Sequence, residues 1–420
     1  MNKVIFHIDV NSAFLSWEAV FRLHHLGGKL DLRNIPSAVG GDVTKRHGII
    51  LAKSIPAKKY KIQTGDPVTD ALRKCPNLTL VPPNYNLYQK SSTAFVNILK
   101  EYSPTVEQYS IDECFVDMSG TESLWGDSVD VANIIRERIY KELGFTVNIG
   151  ISENKVLAKM ASDFTKPNKT HTLWLSEIQE KMWSLSVSDL FFVGRATTKK
   201  LYRLGIRTIG ELAQTDLSII KSHFGKYGEV IWSFANGIDF STVEPAPPPQ
   251  KGYGNSTTIS FDVADRKTAH LVLLSLAETV SARLRADEVR AGVLAVGIRD
   301  YDFRYYSHQF TLNSPTNITT EIFEIACHVF DQAWDGIPIR HLGIHMSHVT
   351  SDCTRQLSLF DRINCEKLEQ LDKAVDDIRK RFGIDAIKRA SFIKTASIDH
   401  MSGGISREKR TVDYNKQNIL

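Results

Sequence analysis

Over the first 170 residues, short apolar runs alternate with segments of helical period. Residues 4–9 (VIFHID) read as a strand, and "SAFLSWEAVFRL", 12–23, reads as a helix. Strand-like pieces recur at 37–41, 49–54 and 79–82, and a helical pattern follows over 84–101. A hairpin over 105–119, a helix near 128–142, the strand "TVNIGIS" at 146–152 and a helix over 155–165 complete an alternating α/β unit. Residues 176–240 are mostly helical in pattern. The segment "VEPAPPPQKG", 243–252, ends that run. Pro245, Pro247, Pro248 and Pro249 exclude a helix interior or a central strand and favour extended polyproline geometry.

Past this linker the pattern spells β-α-β-β-α-β. A strand near 253–261 leads to a helix with Leu273, Leu276, Val280 and Leu284 on one face. Strands at 293–303 and 305–312 precede a helix with Ile322, Ile325, Val329 and Ala333 aligned, and a last strand covers 340–349. That order is the split βαβ arrangement of a small separate domain. The remaining tail is polar, with one periodic helix near 366–382.

Composition narrows the class without naming a function. The chain has 420 residues, 42% hydrophobic and 24% charged, as expected of a soluble protein of several domains. No apolar run is long enough to span a bilayer, and "MNKVIFHIDVNSAF" is a poor signal peptide, so a cytoplasmic protein with no membrane partner is expected. Cys75, Cys114, Cys327, Cys353 and Cys365 form no CxxC pair and read as reduced packing residues. A net charge of +4 is too mild to prove a nucleic-acid partner, so local clusters must carry that case.

The chemistry begins at "YSIDECFVDMS", 109–119, where Asp112 and Glu113 interrupt a strand-like run. Adjacent carboxylates repel, and a half-buried strand gains nothing from them unless positive charge meets them. Asp9 ends the first strand, so neighbouring strands would bring Asp9, Asp112 and Glu113 together at the sheet rim. Such a set suits hard divalent cations, and solvated rim acids are the bland alternative.

Three stretches carry a family resemblance. "IDVNSAFLSWE", "YSIDECFVDMS" and "GISENKVLAKMASDFTKPN" resemble, in order and separation, the palm signatures of the Y-family, lesion-bypass DNA polymerases. The Asp-Val-Asn form at 9–11 resembles the bacterial SOS-mutagenesis branch, and the likeness covers roughly residues 1–360. It implies a multidomain α/β right-hand polymerase: a ferredoxin-like palm (1–11 and 83–173), fingers (12–82), a helical thumb with a helix-hairpin-helix (174–240), a linker (241–252), a little finger (253–350) and a C-terminal tail (351–420). It further implies two Mg²⁺ ions, roughly 4 Å apart, held by the catalytic carboxylates Asp9, Asp112 and Glu113 and the backbone carbonyl of Val10. Asn11 stands where the other branch has an acid and is not counted as a ligand.

Phe14 matches the family's steric gate against the 2′-hydroxyl, although Phe14 and Trp17, three apart on a helix, also read as core. Lys166 matches a lysine on the nucleotide triphosphate, whereas Lys159 reads as an ordinary surface lysine. "LAKSIPAKKYKIQTGDP" departs from the family: a tyrosine and an arginine that grip phosphates are replaced by Ile55 and Lys58. Lys58 keeps a charge but loses the bidentate fork.

"VGRATTKKLYRLGIR", 193–207, is basic with no acid and resembles a helix-hairpin-helix, with Gly194, Arg195, Lys199 and Lys200 as DNA contacts. "FGKYGEVIWSFANG", 224–237, reads as a weaker copy, and Arg299, Arg304 and Arg340 are candidate phosphate contacts. "QLSLF" resembles the bacterial sliding-clamp peptide, with Gln356, Leu357, Leu359 and Phe360 as anchors. The resemblance thus implies a low-fidelity translesion DNA polymerase acting on primer–template DNA and dNTPs, tethered to the sliding clamp, with accessory SOS proteins as further partners. Two other readings stay open: a nucleotidyl cyclase, which needs none of the DNA-binding parts, and a clamp- and DNA-binding scaffold with a weakened active site.

Overall fold

A computed structural model describes residues 3–41, 48–352, 365–392 and 398. The chain opens with β1 (Ile5–Val10), then builds a small sheet from β2 (Ser37–Gly40), β3 (Ile50–Lys53) and β4 (Thr79–Val81), in the order β3-β2-β4. Strands β5 (Val106–Gln108), β6 (Glu113–Asp117), β7 (Val147–Ser152) and β8 (Thr170–Thr172) assemble around β1 in the order β5-β6-β1-β7-β8.

Strand β1 is central, and all six of its residues are buried. Its alternation sorts two environments. Phe6, Ile8 and Val10 enter a core shared with helices Ala13–His25, Tyr85–Lys100 and Ser128–Leu143. Ile5, on the other face, packs against Phe115, Ala158 and Val243. His7 and Asp9 share that face, beside helix Lys155–Asp163. This helix lies directly on β7. A Cβ on Gly150 would come within 2.0 Å of the Ala158 carbonyl oxygen, so only glycine permits the approach.

The small sheet has its own core of Ala38, Ile50, Ala57, Ile62, Val68 and Ala71. Helices Arg195–Arg203, Ile209–Gln214, Leu217–Phe224 and Lys226–Ala235 enclose another, around Leu201, Ile209, Leu212, Ile220 and Ile231. The chain then returns to the first sheet. Val243 is buried there, Lys155 Nζ donates to the Thr242 carbonyl at 3.2 Å, and the Glu244 amide donates to Glu107 at 2.8 Å. Residues 244–251 are exposed.

The last sheet contains β9 (Gly252–Val263), β10 (Arg290–Asp300), β11 (Tyr305–Thr316) and β12 (Ile339–Thr350), in the order β11-β10-β12-β9 with antiparallel neighbours. Strands β9 and β10 therefore run parallel with β12 between them, as the split pattern requires. Helices Arg266–Ala286 and Thr319–Ala333 cover one face, burying Leu273, Leu276, Val280, Ile322 and Val329.

The polar tail is not detached from this unit. Helix Cys365–Phe382 docks through charges: Arg285 meets Asp372 at 3.1 Å and Asp376 at 2.6 Å, and Arg290 meets Glu369 at 2.9 Å. Asp372 is buried and also accepts the Thr319 amide at 2.8 Å, capping the neighbouring helix. Among the described residues, no helix is long and apolar enough to cross a membrane. Cys75, Cys114, Cys327 and Cys365 are free thiols.

Candidate active site

The rim where β1 meets β6 answers the problem of the adjacent acids. Asp9 and Glu113 are cross-strand partners, and the Val10 amide donates to the Asp112 carbonyl at 3.0 Å. Asp112 lies in the bend before β6, where Ser110 Oγ donates to its Oδ1 at 2.7 Å. Each acid of the cross-strand pair has a lysine. Lys166 bonds the Asp9 carboxylate and pairs with Asp163 at 2.8 Å. Lys159 meets Glu113 at 3.1 Å and Asp163 at 3.5 Å.

Lys159 is therefore no ordinary surface lysine. It is 8% exposed, because Gly150 seats its helix against the sheet. The spacing hides this: residue 159 lies 46 positions from its partner, and only the close helix–strand packing joins them.

Electrostatics separate the acids. Burial pushes the Asp9 carboxyl above its ordinary pKa, and Lys166 offsets only part of that. Burial would also raise Glu113, but His7 and Lys159 outweigh it and hold Glu113 at about 2. Burial lowers His7, whose Nδ1 meets Ser162 Oγ at 2.8 Å and whose Nε2 stands 3.5 Å from Glu113. Burial alone would lower the Lys166 ammonium, but Asp9 and Asp163 reverse the direction.

Asn11 explains how Lys166 is aimed. Its Oδ1 accepts from Thr146 Oγ1 at 3.0 Å and from the Asn168 amide at 2.9 Å, and its Nδ2 donates to Asn148 at 3.2 Å. Asn148 in turn donates to the Thr165 carbonyl at 2.7 Å. Both asparagines thus stitch down the turn that carries Lys166.

A cavity of about 580 Å³ opens above this rim, lined by Asp9, Val10, Phe14, Lys58, Asp112 and Lys166. Ile55 and Lys53 also line it, from the side of the small sheet. Glu113 is beside the cavity and does not line it. Phe14 reaches the cavity with its ring stacked on Tyr88 at 4.3 Å and 10°. Among the described residues, no three His, Cys, Asp or Glu side chains gather into a ready metal cluster. Oxygen donors still meet a hard cation's demands here: the Asp9 and Asp112 carboxylates and the Val10 backbone line one cavity.

Gly194 is the N-cap of helix Arg195–Arg203, and Lys199 and Lys200 are exposed on it. Arg195 Nη2 also donates to Gln63 Oε1 at 3.2 Å, linking this helix to the small-sheet unit. The open face of the last sheet carries Arg299, His341, His345 and Tyr305 around Gly297 and Gly343, with Ser256, Ser307 and Gln309 in register. None of these is acidic, so this face suits a polyanion although the unit has no overall basic excess. Gln356, Leu357, Leu359 and Phe360 lie outside the described residues.

A split-βαβ unit, a compact helical unit and a small sheet closing over an acidic strand rim define a right-hand nucleotidyltransferase. The chain belongs to the impB/mucB/samB family, the Y-family of lesion-bypass DNA polymerases, and its enzyme class is DNA-directed DNA polymerase. Residues 8–163 match that family, 250–359 match its C-terminal domain, and 188–239 match a "DNA polymerase-iota, thumb domain". A DNA polymerase IV of Clostridium acetobutylicum is 46% identical over 395 residues, covering 94% of this chain and 99% of that protein. A DNA polymerase IV of Acetivibrio thermocellus is 38% identical and covers 96% and 100%. A DNA polymerase IV 2 of Bacillus subtilis is 37% identical and covers 94% and 95%. A solved Y-family DNA polymerase chimera superposes with a TM-score of 0.70 at 19% identity, covering 83% of this chain and all of that one, which supports the fold.

Proposed function

We propose that this polymerase extends a primer 3′ end opposite damaged template DNA by two-metal nucleotidyl transfer, with low fidelity, while tethered to a sliding clamp. The observation that carries the reading is the single cavity shared by Asp9, Asp112, Phe14 and Lys166. Asp9, the Val10 carbonyl and Asp112 would hold divalent cations, with Glu113 as the third carboxylate. Bound Mg²⁺ would activate the 3′-hydroxyl and neutralise the departing pyrophosphate.

The chain's own residues do the rest. Ser110 fixes the Asp112 carboxylate, and His7 and Lys159 together hold Glu113 below the usual carboxylate range. Lys166 is within reach of both Asp9 and a triphosphate in the cavity, so it can pass from one anion to the other. Phe14 presents its ring where a sugar would lie and excludes a 2′-hydroxyl. Lys58 offers a point charge in place of the arginine fork. Gly194, Arg195, Lys199 and Lys200 grip the DNA backbone, and Gln356, Leu357, Leu359 and Phe360 supply the clamp anchor. The family's SOS branch makes accessory SOS proteins candidate partners.

The test is Asp112→Asn. Primer extension in Mg²⁺ should fall by a factor on the order of 10³. DNA binding and the fold should persist, since an amide keeps the Ser110 hydrogen bond and removes a charge. Extension within a few-fold of the parent would refute the assignment.

A further inference from the structure

Two ammonium groups, not one, enter the cavity from the small-sheet side. Lys53, at the end of β3, and Lys58 both line it. Lys53 Nζ has only a 3.4 Å contact with Thr64 Oγ1. The Asp66 carboxylate near it is already held by Lys74 at 2.6 Å. Among the described residues, no carboxylate forms an ion pair with either Lys53 or Lys58. Across the cavity Lys166 is matched by Asp9 and Asp163, and beside it Lys159 is matched by Glu113.

A half-buried ammonium is costly when the nearest carboxylate is already paired with another lysine. Burial, with Lys58 adding to it, pushes Lys53 below the ordinary lysine pKa, and Asp66 offsets this only in part. A second lysine close by adds to that cost, and a polyanion held between the two offsets it. Ile55 and Lys58 leave this wall without the hydroxyl and the fork that the family pattern supplies.

We infer that Lys53 is a further substrate-binding residue, which with Lys58 holds the nucleotide's triphosphate on the wall opposite Lys166. The inference rests on reading this cavity as the nucleotide site. Two point charges there replace one bidentate guanidinium, so the departure at Ile55 and Lys58 changes how the phosphates are held while keeping the positive charge.

The experiment titrates inorganic tripolyphosphate calorimetrically into the full chain and into Lys53→Met and Lys53→Arg. Methionine keeps the stem's packing and removes the charge. Its dissociation constant should rise about tenfold, while arginine stays near the parent. Equal binding by the parent and Lys53→Met, or no binding by the parent, overturns the inference. In parallel, steady-state extension should show a higher dNTP KM in Lys53→Met with kcat and primer–template affinity retained. A loss of primer–template affinity with KM unchanged would assign Lys53 to DNA instead. A parent that binds tripolyphosphate but extends no primer would strike the polymerase reading and leave Lys53 as an anion contact.

Discussion

At the scale of single residues, Phe14 has two readings, core or gate: its ring packs on aromatic neighbours and also lines the cavity. Its ring is half-buried, stacked on Tyr88 and edged by Tyr85 at 6.0 Å. Tyr88 is anchored in turn: its hydroxyl donates to Glu18 at 3.2 Å, and Glu18 pairs with Arg22 at 3.3 Å inside the protein. A ring backed this way cannot swing aside to admit a larger sugar. Phe14→Ala should therefore lower dNTP-over-rNTP discrimination by at least about tenfold, with deoxynucleotide use falling less. Competing dNTP and rNTP incorporation measures this, and unchanged discrimination would leave Phe14 as packing alone. The strand pattern pointed to Asp9, Asp112 and Glu113, and the family resemblance alone added Phe14 and Lys166. Tyr88, Lys159 and Asn148 were beyond both, because their contacts are with residues far away in the chain and carry no local signature.

At the scale of elements, apolar periodicity located strands and helices well wherever burial is one-sided. Helices Arg266–Ala286 and Thr319–Ala333 are examples, each with a stripe that the sheet covers. The C-terminal helix shows where such reading stops. Its period was visible, but its contacts with the preceding unit are ionic, and charge pairing across 79 to 91 residues leaves no pattern to read. Arg285 joins Asp372, Asp376 and the Asn317 carbonyl, the last at 2.8 Å. Arg285→Ala would leave Asp372 as a buried charge without its partner, at a cost of about 3 kcal/mol to docking. Amide exchange over 365–382 should accelerate while that of β1 and β7 stays protected. Unchanged protection of 365–382 would mean that the ion pairs do not hold this helix.

At the scale of the whole molecule, the protein packs several separate cores, and repeated extension would need all of them kept near the primer. The clamp peptide would do this through effective concentration, since a tethered polymerase meets the primer end repeatedly. Changing Leu359 and Phe360 to alanine should leave extension of a bare primer unchanged and abolish stimulation by loaded clamp. Equal stimulation of mutant and parent on one primed circle would place the tether elsewhere.

The linker's anchorage has a further consequence. Val243 is plugged into the first sheet and Glu244 is tied to Glu107, so the chain is fastened to that body before its prolines begin. Only residues 245–251 span the gap to β9. In full polyproline geometry they would reach about 22 Å, at ~3.1 Å per residue, and the bends at Pro245 and Ala246 shorten that reach. The last sheet is therefore joined to the first body by a short arm, and the arm's length bounds how far the two can part. A short tether of this kind confines the last sheet to the neighbourhood of the first and keeps the cost of bringing the two onto one substrate small. Lengthening the arm with glycine and serine would dilute that advantage without removing a single contact to DNA.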